Sequence, residues 1–420
     1  MLNELQQKFF DRFGEVSSGD GQRTGAGKTA ENSDLSLRCF YAPGRVNLIG
    51  EHTDYNGGLV FPCGVNVGNH LMIRRRNDKL IGLASANFEF ATELTPEQAQ
   101  YKIDEEWVNY PLGVISEFNH AGFPLAGFDC FYSGNVPASS GLSSSAAIEV
   151  VTAFALNALF QCGIELVELV RMCQRAENKF VGVNCGIMDQ FAVAMALEDH
   201  AIALDCNTLE YQQVPLNLQD CTLVLANTNQ QRELSDSKYN ERVAECDQAL
   251  TLLQQHHDVK SLASLQPQHL QDSASLFTPS SDTAGAAAID TEANTNVLFR
   301  RARHVIDENH RVHTAIESLQ QGNLQHFGVL MNQSHDSLRD DYEVSSPQLD
   351  TLVAEARTIE GVLGSRLTGA GFGGCTINLM RNNVVEHFCH QVGTAYHAST
   401  GLSADFYSIV PAGGVHEVTL

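Results

Sequence analysis

An α+β protein of two closely packed domains is what this sequence leads us to expect, on three grounds. Its 420 residues exceed what a single hydrophobic core usually serves. Short β-branched and aromatic runs crowd the first third, whereas the later part mixes strands with long helical patterns. The two kinds of element do not alternate regularly enough for a βαβ series. We expect an N-terminal helix and flexible loop over 1–36, a first domain over 37–204, and a second over 205–420 carrying an inserted loop near 267–296.

Taken in order, Met1 to Phe13 has the spacing of a short amphipathic helix, and Gly14 to Ser36 is a Gly-, Ser- and Thr-rich loop with no apolar period. Leu59-Val60-Phe61 and Leu71-Met72-Ile73 are strand runs beside the Asn56-Gly57 turn signal, and Phe128 to Tyr132 adds another strand. Ala147, Val151, Phe154 and Ala158 then share one helical face. Further helices are expected from Glu165 to Phe180, from near Gly186 to Leu197, and from Val297 to Gln320. Leu223-Val224-Leu225 and Thr376 to Leu379 are strands of the second half. Pro267 to Asn296 is rich in Ser, Thr, Asp and Ala, and is expected as a surface excursion.

Charge excludes whole classes of partner. Twenty-six basic against fifty acidic residues give a formal charge of −24, the wrong sign for nucleic acid or an anionic membrane. No apolar run reaches transmembrane length, and the first residues lack a signal-peptide core. Eleven cysteines without a C-x-x-C pair suggest neither a disulfide framework nor zinc, so a reducing cytoplasm is the expected setting.

Three segments carry chemistry. Ala42-Pro43-Gly44-Arg45-Val46-Asn47-Leu48-Ile49-Gly50-Glu51-His52-Thr53-Asp54-Tyr55-Asn56-Gly57-Gly58 sets an arginine, two carboxylates and a histidine between glycines, suited to a hydroxyl-rich ligand or, equally, to capping a hairpin. Gly141-Leu142-Ser143-Ser144-Ser145-Ala146 leads straight into a helix. Its free N–H groups could cradle a phosphate without a Walker lysine, or the serines could be an ordinary N-cap. Arg366-Leu367-Thr368-Gly369-Ala370-Gly371-Phe372-Gly373-Gly374 satisfies a dinucleotide-binding glycine string, but a β-rich run follows where a helix is needed. Gly25-Ala26-Gly27-Lys28-Thr29 ends like a P-loop, yet Gln22 stands where that motif needs glycine.

The first segment resembles the galactokinase signature, and the other two resemble the second and third motifs of the wider GHMP small-molecule kinases. The resemblance runs from Leu37 to the C-terminus and implies a two-domain fold with the active site between domains. It implies ATP-dependent phosphorylation of galactose at its anomeric hydroxyl, by a monomer that uses Mg²⁺. By resemblance Asp189, in Cys185-Gly186-Ile187-Met188-Asp189-Gln190, takes the hydroxyl proton and Arg45 pairs with it. Read alone, Asp189 is an acid stabilised by a helix start. Glu51, His52, Asp54, Gly186 and Tyr239 would line the sugar pocket. Gly141, Leu142, Ser143, Ser144, Ser145 and Trp107 would hold ATP, although a lone tryptophan is usually core. Ser144 and Glu177 would hold the metal, which demands hard oxygen ligands. Relatives usually carry glycine and a small residue before Gly141, where this chain has Ser139-Ser140, and Ala370 stands where glycine is common. Ser139 is expected at negative φ with its hydroxyl turned to solvent or capping the turn. A kinase for N-acetylgalactosamine or arabinose, or a silent sugar sensor, are the alternatives.

Overall fold

A computed structural model describes residues 1–15, 35–100, 102–104, 106–137, 141–230, 235–277 and 286–420, with side chains omitted at 235–236 and 286–295. The loop expected up to Ser36, the P-loop-like string and Ser139 therefore lie almost wholly outside the described residues.

The first half begins with α1 (Leu2–Phe13) and β1 (Arg38–Asn47), then β2 (Leu59–Val60), β3 (Pro62–Arg75), β4 (Ile81–Ser85) and β5 (Thr92–Leu94). It continues through α2 (Asn109–His120), β6 (Phe128–Gly134), α3 (Ser144–Phe160), α4 (Leu166–Arg175), α5 (Met188–Met195), β7 (His200–Asp205) and β8 (Tyr211–Pro215). The second half contains β9 (Cys221–Asn227), α6 (Ser235–Leu253), α7 (Pro267–Asp272), α8 (Ala286–Gln320), α9 (Leu324–Asp340) and α10 (Pro347–Arg357). It closes with β10 (Val362–Thr368), β11 (Cys375–Arg381), α11 (Val385–Thr400), β12 (Asp405–Ile409) and β13 (His416–Val418).

These strands build a six-stranded sheet in the order β13-β1-β3-β6-β4-β5, a four-stranded sheet β10-β11-β9-β12 and a small sheet β2-β7-β8. Among the described residues only β4 and β6 pair in parallel, and the mainly antiparallel pairing suits an α+β arrangement. The expected division at 204/205 falls inside β7, which pairs with β8 beyond it. The last strand, β13, also returns to β1, so neither half of the chain is closed on itself.

Helix α3 is buried on nearly every side, from Ala146 through Ala153 and again at Leu156. The one-faced pattern expected for it understates this, because a helix apolar all round sits inside a core. That depth makes its N-terminus a fixed point for the site.

The surface excursion expected over Pro267 to Asn296 needs correction at its start. Pro267 to Asp272 is helix α7, and Leu270 and Phe277 are buried in the same core as Ala302 and Leu338. Phe277 meets Phe299 edge-on at 5.4 Å. A low average apolar content hid two well-spaced anchors. Residues 278–285 lie outside the described part, and α8 already runs from Ala286.

Candidate active site

The first motif owes its shape to an irregularity in β1. Pairing between β1 and β3 slips between Pro43 and Gly44, and such a bulge re-aims the side chains that follow it. Gly44 also lets the second motif close in: a methyl placed on it would lie 2.7 Å from the Leu142 carbonyl oxygen. Arg45, next in line, is buried, and its backbone N–H donates to that same carbonyl at 3.1 Å.

From there the Arg45 guanidinium reaches the first turn of α5. Its Nε and Nη2 donate to the two oxygens of Asp189 at 2.8 and 2.7 Å, while Nη1 donates to the Gly141 carbonyl at 2.6 Å. The Ser143 hydroxyl also donates to Asp189. Ser143 caps α3 in the left-handed region at φ 58°, a conformation that costs energy for a serine and places its hydroxyl beside Asp189. Sequence reasoning gave Ser143 only to ATP. Its bond to Asp189 was not foreseen.

Asp54 opens the short helical turn Asp54–Asn56 within the first motif. Burial, and then the charge of Asp189, push its carboxyl up to about 7. Gly186 is a necessity here, because a methyl on it would lie 1.9 Å from Asp54 Oδ2. Gly186→Ala should therefore displace Asp54 and, on the expectation that Asp54 lines the pocket of a galactose-binding site, raise the galactose KM at least about tenfold, with nucleotide affinity unchanged. Calorimetric titration with each ligand separately checks this, and an unaltered galactose affinity would show that Asp54 does not face the sugar.

His52 is held at φ 62° and fully committed to protein partners. Its Nε2 lies 3.2 Å from the Ala370 carbonyl, which can only accept, so Nδ1, 2.8 Å from the Tyr55 hydroxyl, is the accepting nitrogen. Burial, and then the neighbouring His304, drive its pKa down to about 3, so the ring is neutral. The His52 ring packs against Tyr239 at 5.6 Å. Burial holds the Tyr239 phenol protonated, leaving it a donor as well as an acceptor.

Glu51 departs from its expected role as a free acceptor. Its oxygens already take Asn47 Nδ2, Arg366 Nη2, the Thr368 hydroxyl and the Gly369 N–H, which occupies the four lone-pair positions of a carboxylate. Its first task is to tie the first motif to the third.

At the other end, Glu177 lies where α4 widens into a π-helical turn, Ala176–Val181, a distortion common at functional sites. Burial, and then the charge of Asp189, push Glu177 up to about 7, while hydrogen bonds from Cys185, Ser145 and Gln190 pull the other way. The serine beside Glu177 is thus Ser145, one residue on from Ser144, which is exposed and was the serine expected to hold the metal. Helical rotation explains the difference: consecutive residues point 100° apart, and Ser145 is the one turned toward Glu177.

Trp107 is buried, with its indole N–H donated to the Phe90 carbonyl at 3.0 Å. Phe88 stacks on it at 5.9 Å and is 52% exposed, so Phe88 forms the outer aromatic wall. No periodicity marks Phe88 in its loop. Tyr110, Ile148 and Met188 are further wall residues that only the folded chain reveals.

Every residue expected at the site lines one cavity of about 450 Å³, from the aromatic wall past the α3 N-terminus to Asp54. Among the described residues no group of three or more His, Cys, Asp or Glu could hold a metal unaided.

Comparison with known proteins agrees with this geometry. Residues 109–196 match the GHMP kinases N terminal domain, 315–398 the GHMP kinases C terminal model, and 30–75 the galactokinase galactose-binding signature. The galactokinase of Bacillus subtilis is 46% identical over 374 residues, 88% of this chain and 92% of that one. The chain belongs to the galactokinase family. The Clostridium tetani galactokinase is 41% identical over 418 residues, 99% of this chain and 98% of that one. The Lactococcus lactis galactokinase complexed with galactose superposes with a TM-score of 0.89 at 39% identity, covering 99% of this chain and all of that one. A mevalonate kinase at 18% identity, with a TM-score of 0.58 and 89% of this chain covered, shares the fold. Among the described residues, no helix of this galactokinase-family chain is long and apolar enough to cross a membrane.

Proposed function

We propose that this chain transfers the γ-phosphoryl group of ATP to the C1 hydroxyl of galactose, giving galactose 1-phosphate and ADP. The observation that carries the reading is the two-pronged Arg45–Asp189 pair. It stands where the polar wall of Asp54, Gly186 and Tyr239 meets the N-terminus of α3. Galactokinase relatives along almost the whole chain support the choice of sugar.

The anomeric hydroxyl lies against Asp189, which accepts its proton as the oxygen attacks the γ-phosphorus. The bond to the bridging oxygen breaks and ADP leaves with its electrons. Arg45 orients Asp189 and adds positive charge beside the phosphoryl oxygens. The first N–H groups of α3 and the positive end of its dipole face the nucleotide phosphates. Asp54 accepts from sugar hydroxyls, and a sugar with a hydroxyl misdirected leaves buried groups unpaired, which is the basis of discrimination. Trp107 and Phe88 offer an apolar slot for the base.

Ser145 and Glu177 fit a magnesium ion: two hard oxygens already in contact, with phosphate and water completing the shell, as that ion prefers. When bound, the ion would neutralise charge on the nucleotide phosphates.

The test is to compare kcat/KM across galactose, glucose, N-acetylgalactosamine and arabinose, with galactose expected to lead. A higher value for any other sugar, or no ADP release with all four, would overturn the reading. A second expectation follows from Asp54. Its pKa in the fold is raised, so it is neutral below about pH 7 and becomes a full acceptor above it. The galactose KM should therefore fall between about pH 6 and about pH 8, and Asp54→Asn should flatten that slope. A wild-type KM that is flat or rises over this range would remove Asp54 from sugar binding.

A further inference from the structure

Helix α3 carries one acid that neither the phosphate nor the sugar site uses. Glu149 is wholly buried, in a helix whose other interior positions are almost all apolar. It stands four residues after Ser145 and so on the same helical face. A buried carboxyl in such a place needs an explanation in its contacts.

Those contacts lead back to the metal-holding pair. Gln190, also wholly buried and next in chain to Asp189, has one amide nitrogen, Nε2, with two hydrogens to give. It lies 3.1 Å from Glu149 Oε2 and 2.5 Å from Glu177 Oε2, so one amide bridges the two acids. The remaining oxygens, Glu149 Oε1 and Gln190 Oε1, have no hydrogen-bond partner among the described residues. An amide can be turned end for end with little change of shape. With its nitrogen end toward them Gln190 donates to both acids at once, including a Glu149 carboxyl that burial, and then the charge of Glu177, push up. Turned the other way, its oxygen could bond only to a carboxyl that carried a proton, and the double bridge would be lost.

We propose that Glu149 and Gln190 are positioning residues that orient the Glu177 carboxylate beside Ser145 and thereby set the affinity for the magnesium–nucleotide complex. The proposal rests on the reading of Ser145 and Glu177 as the metal-holding pair. Neither Glu149 nor Gln190 is among the residues lining the cavity, so both act through Glu177. Groups that orient a metal-binding side chain in this way typically govern affinity by ten- to a hundredfold.

The test measures ADP binding by calorimetry at a series of Mg²⁺ concentrations, and galactose binding separately, with no turnover involved. Glu149→Leu fills the space but offers no acceptor. It should raise the Mg²⁺ concentration for half-maximal ADP affinity at least about tenfold, with galactose affinity within about twofold of wild type. Glu149→Gln retains an acceptor oxygen and should bring that requirement back to within about threefold of wild type. If circular dichroism shows that the leucine variant does not fold, Gln190→Met gives the same reading, since it nearly keeps the length and removes the bridging N–H without adding a charge. A folded variant with the wild-type Mg²⁺ requirement, or one that loses galactose affinity in parallel, overturns the proposal. Glu177→Gln separates the two layers of argument. If it leaves the Mg²⁺ requirement unchanged, the metal-holding pair itself is wrongly assigned. If it shifts the requirement while Glu149→Leu does not, only the positioning role fails.

Discussion

Asp189→Asn should lower kcat at least about a hundredfold while galactose affinity stays within about threefold of wild type. The amide matches the carboxylate in size, so the cavity keeps its shape. What it loses is the capacity to accept the sugar proton and one of the two bonds from Arg45, because an amide NH₂ facing Nε or Nη2 is donor against donor. The guanidinium still has the Gly141 carbonyl to hold it, so the phosphate loop should remain in place. Steady-state kinetics with separate galactose binding separates these effects. A variant that keeps more than about a tenth of wild-type kcat would reject the proton-accepting role. A parallel collapse of binding would make Asp189 a sugar ligand first.

The contrast between Asp189 and Ser144 shows what was legible in the sequence. Arg45, Asp54 and Asp189 were assigned to the site by the resemblance of the strings that carry them, and the fold brings them to one cavity. Choosing among three adjacent serines needs the rotational phase of α3, which depends on where its first turn begins. The left-handed Ser143 sets that point, and no residue type announces it. Glu51 lines the cavity as expected, but its bonds to Arg366, Thr368 and Gly369 were illegible because those partners lie more than three hundred residues away in the chain. Phe88 and Gln190 were missed for the same reason: each matters through a neighbour distant in sequence, Trp107 for one and Glu149 for the other. Pro267 to Phe277 failed differently, since composition averages over a window, whereas Leu270 on α7 and Phe277 in the turn after it anchor the segment to the core.

Arg366→Met should destabilise the fold by about 3–5 kcal/mol, the usual consequence of removing one partner from a buried ion pair. Arg366 on β10 and Glu51 beyond β1 are both inaccessible to solvent, and their contact joins the four-stranded sheet to the first motif. Burial pushes the Glu51 carboxyl up, and Arg366 together with the Gly369 N–H pulls it back. Methionine replaces the aliphatic stem of the arginine but removes that compensation, leaving Glu51 with neutral donors only. The cost is therefore mostly that of an unpaired acid, and the double variant Glu51→Gln/Arg366→Met should be more stable than Arg366→Met alone. Urea denaturation of the three proteins and wild type measures both effects. A loss below about 1 kcal/mol in the single variant, or a double variant no better than it, would show that the pair is not what joins the two motifs. Because the same loop carries His52 and Asp54, the folded fraction of Arg366→Met should also bind galactose more weakly. That links the stability of the interface directly to the shape of the sugar pocket.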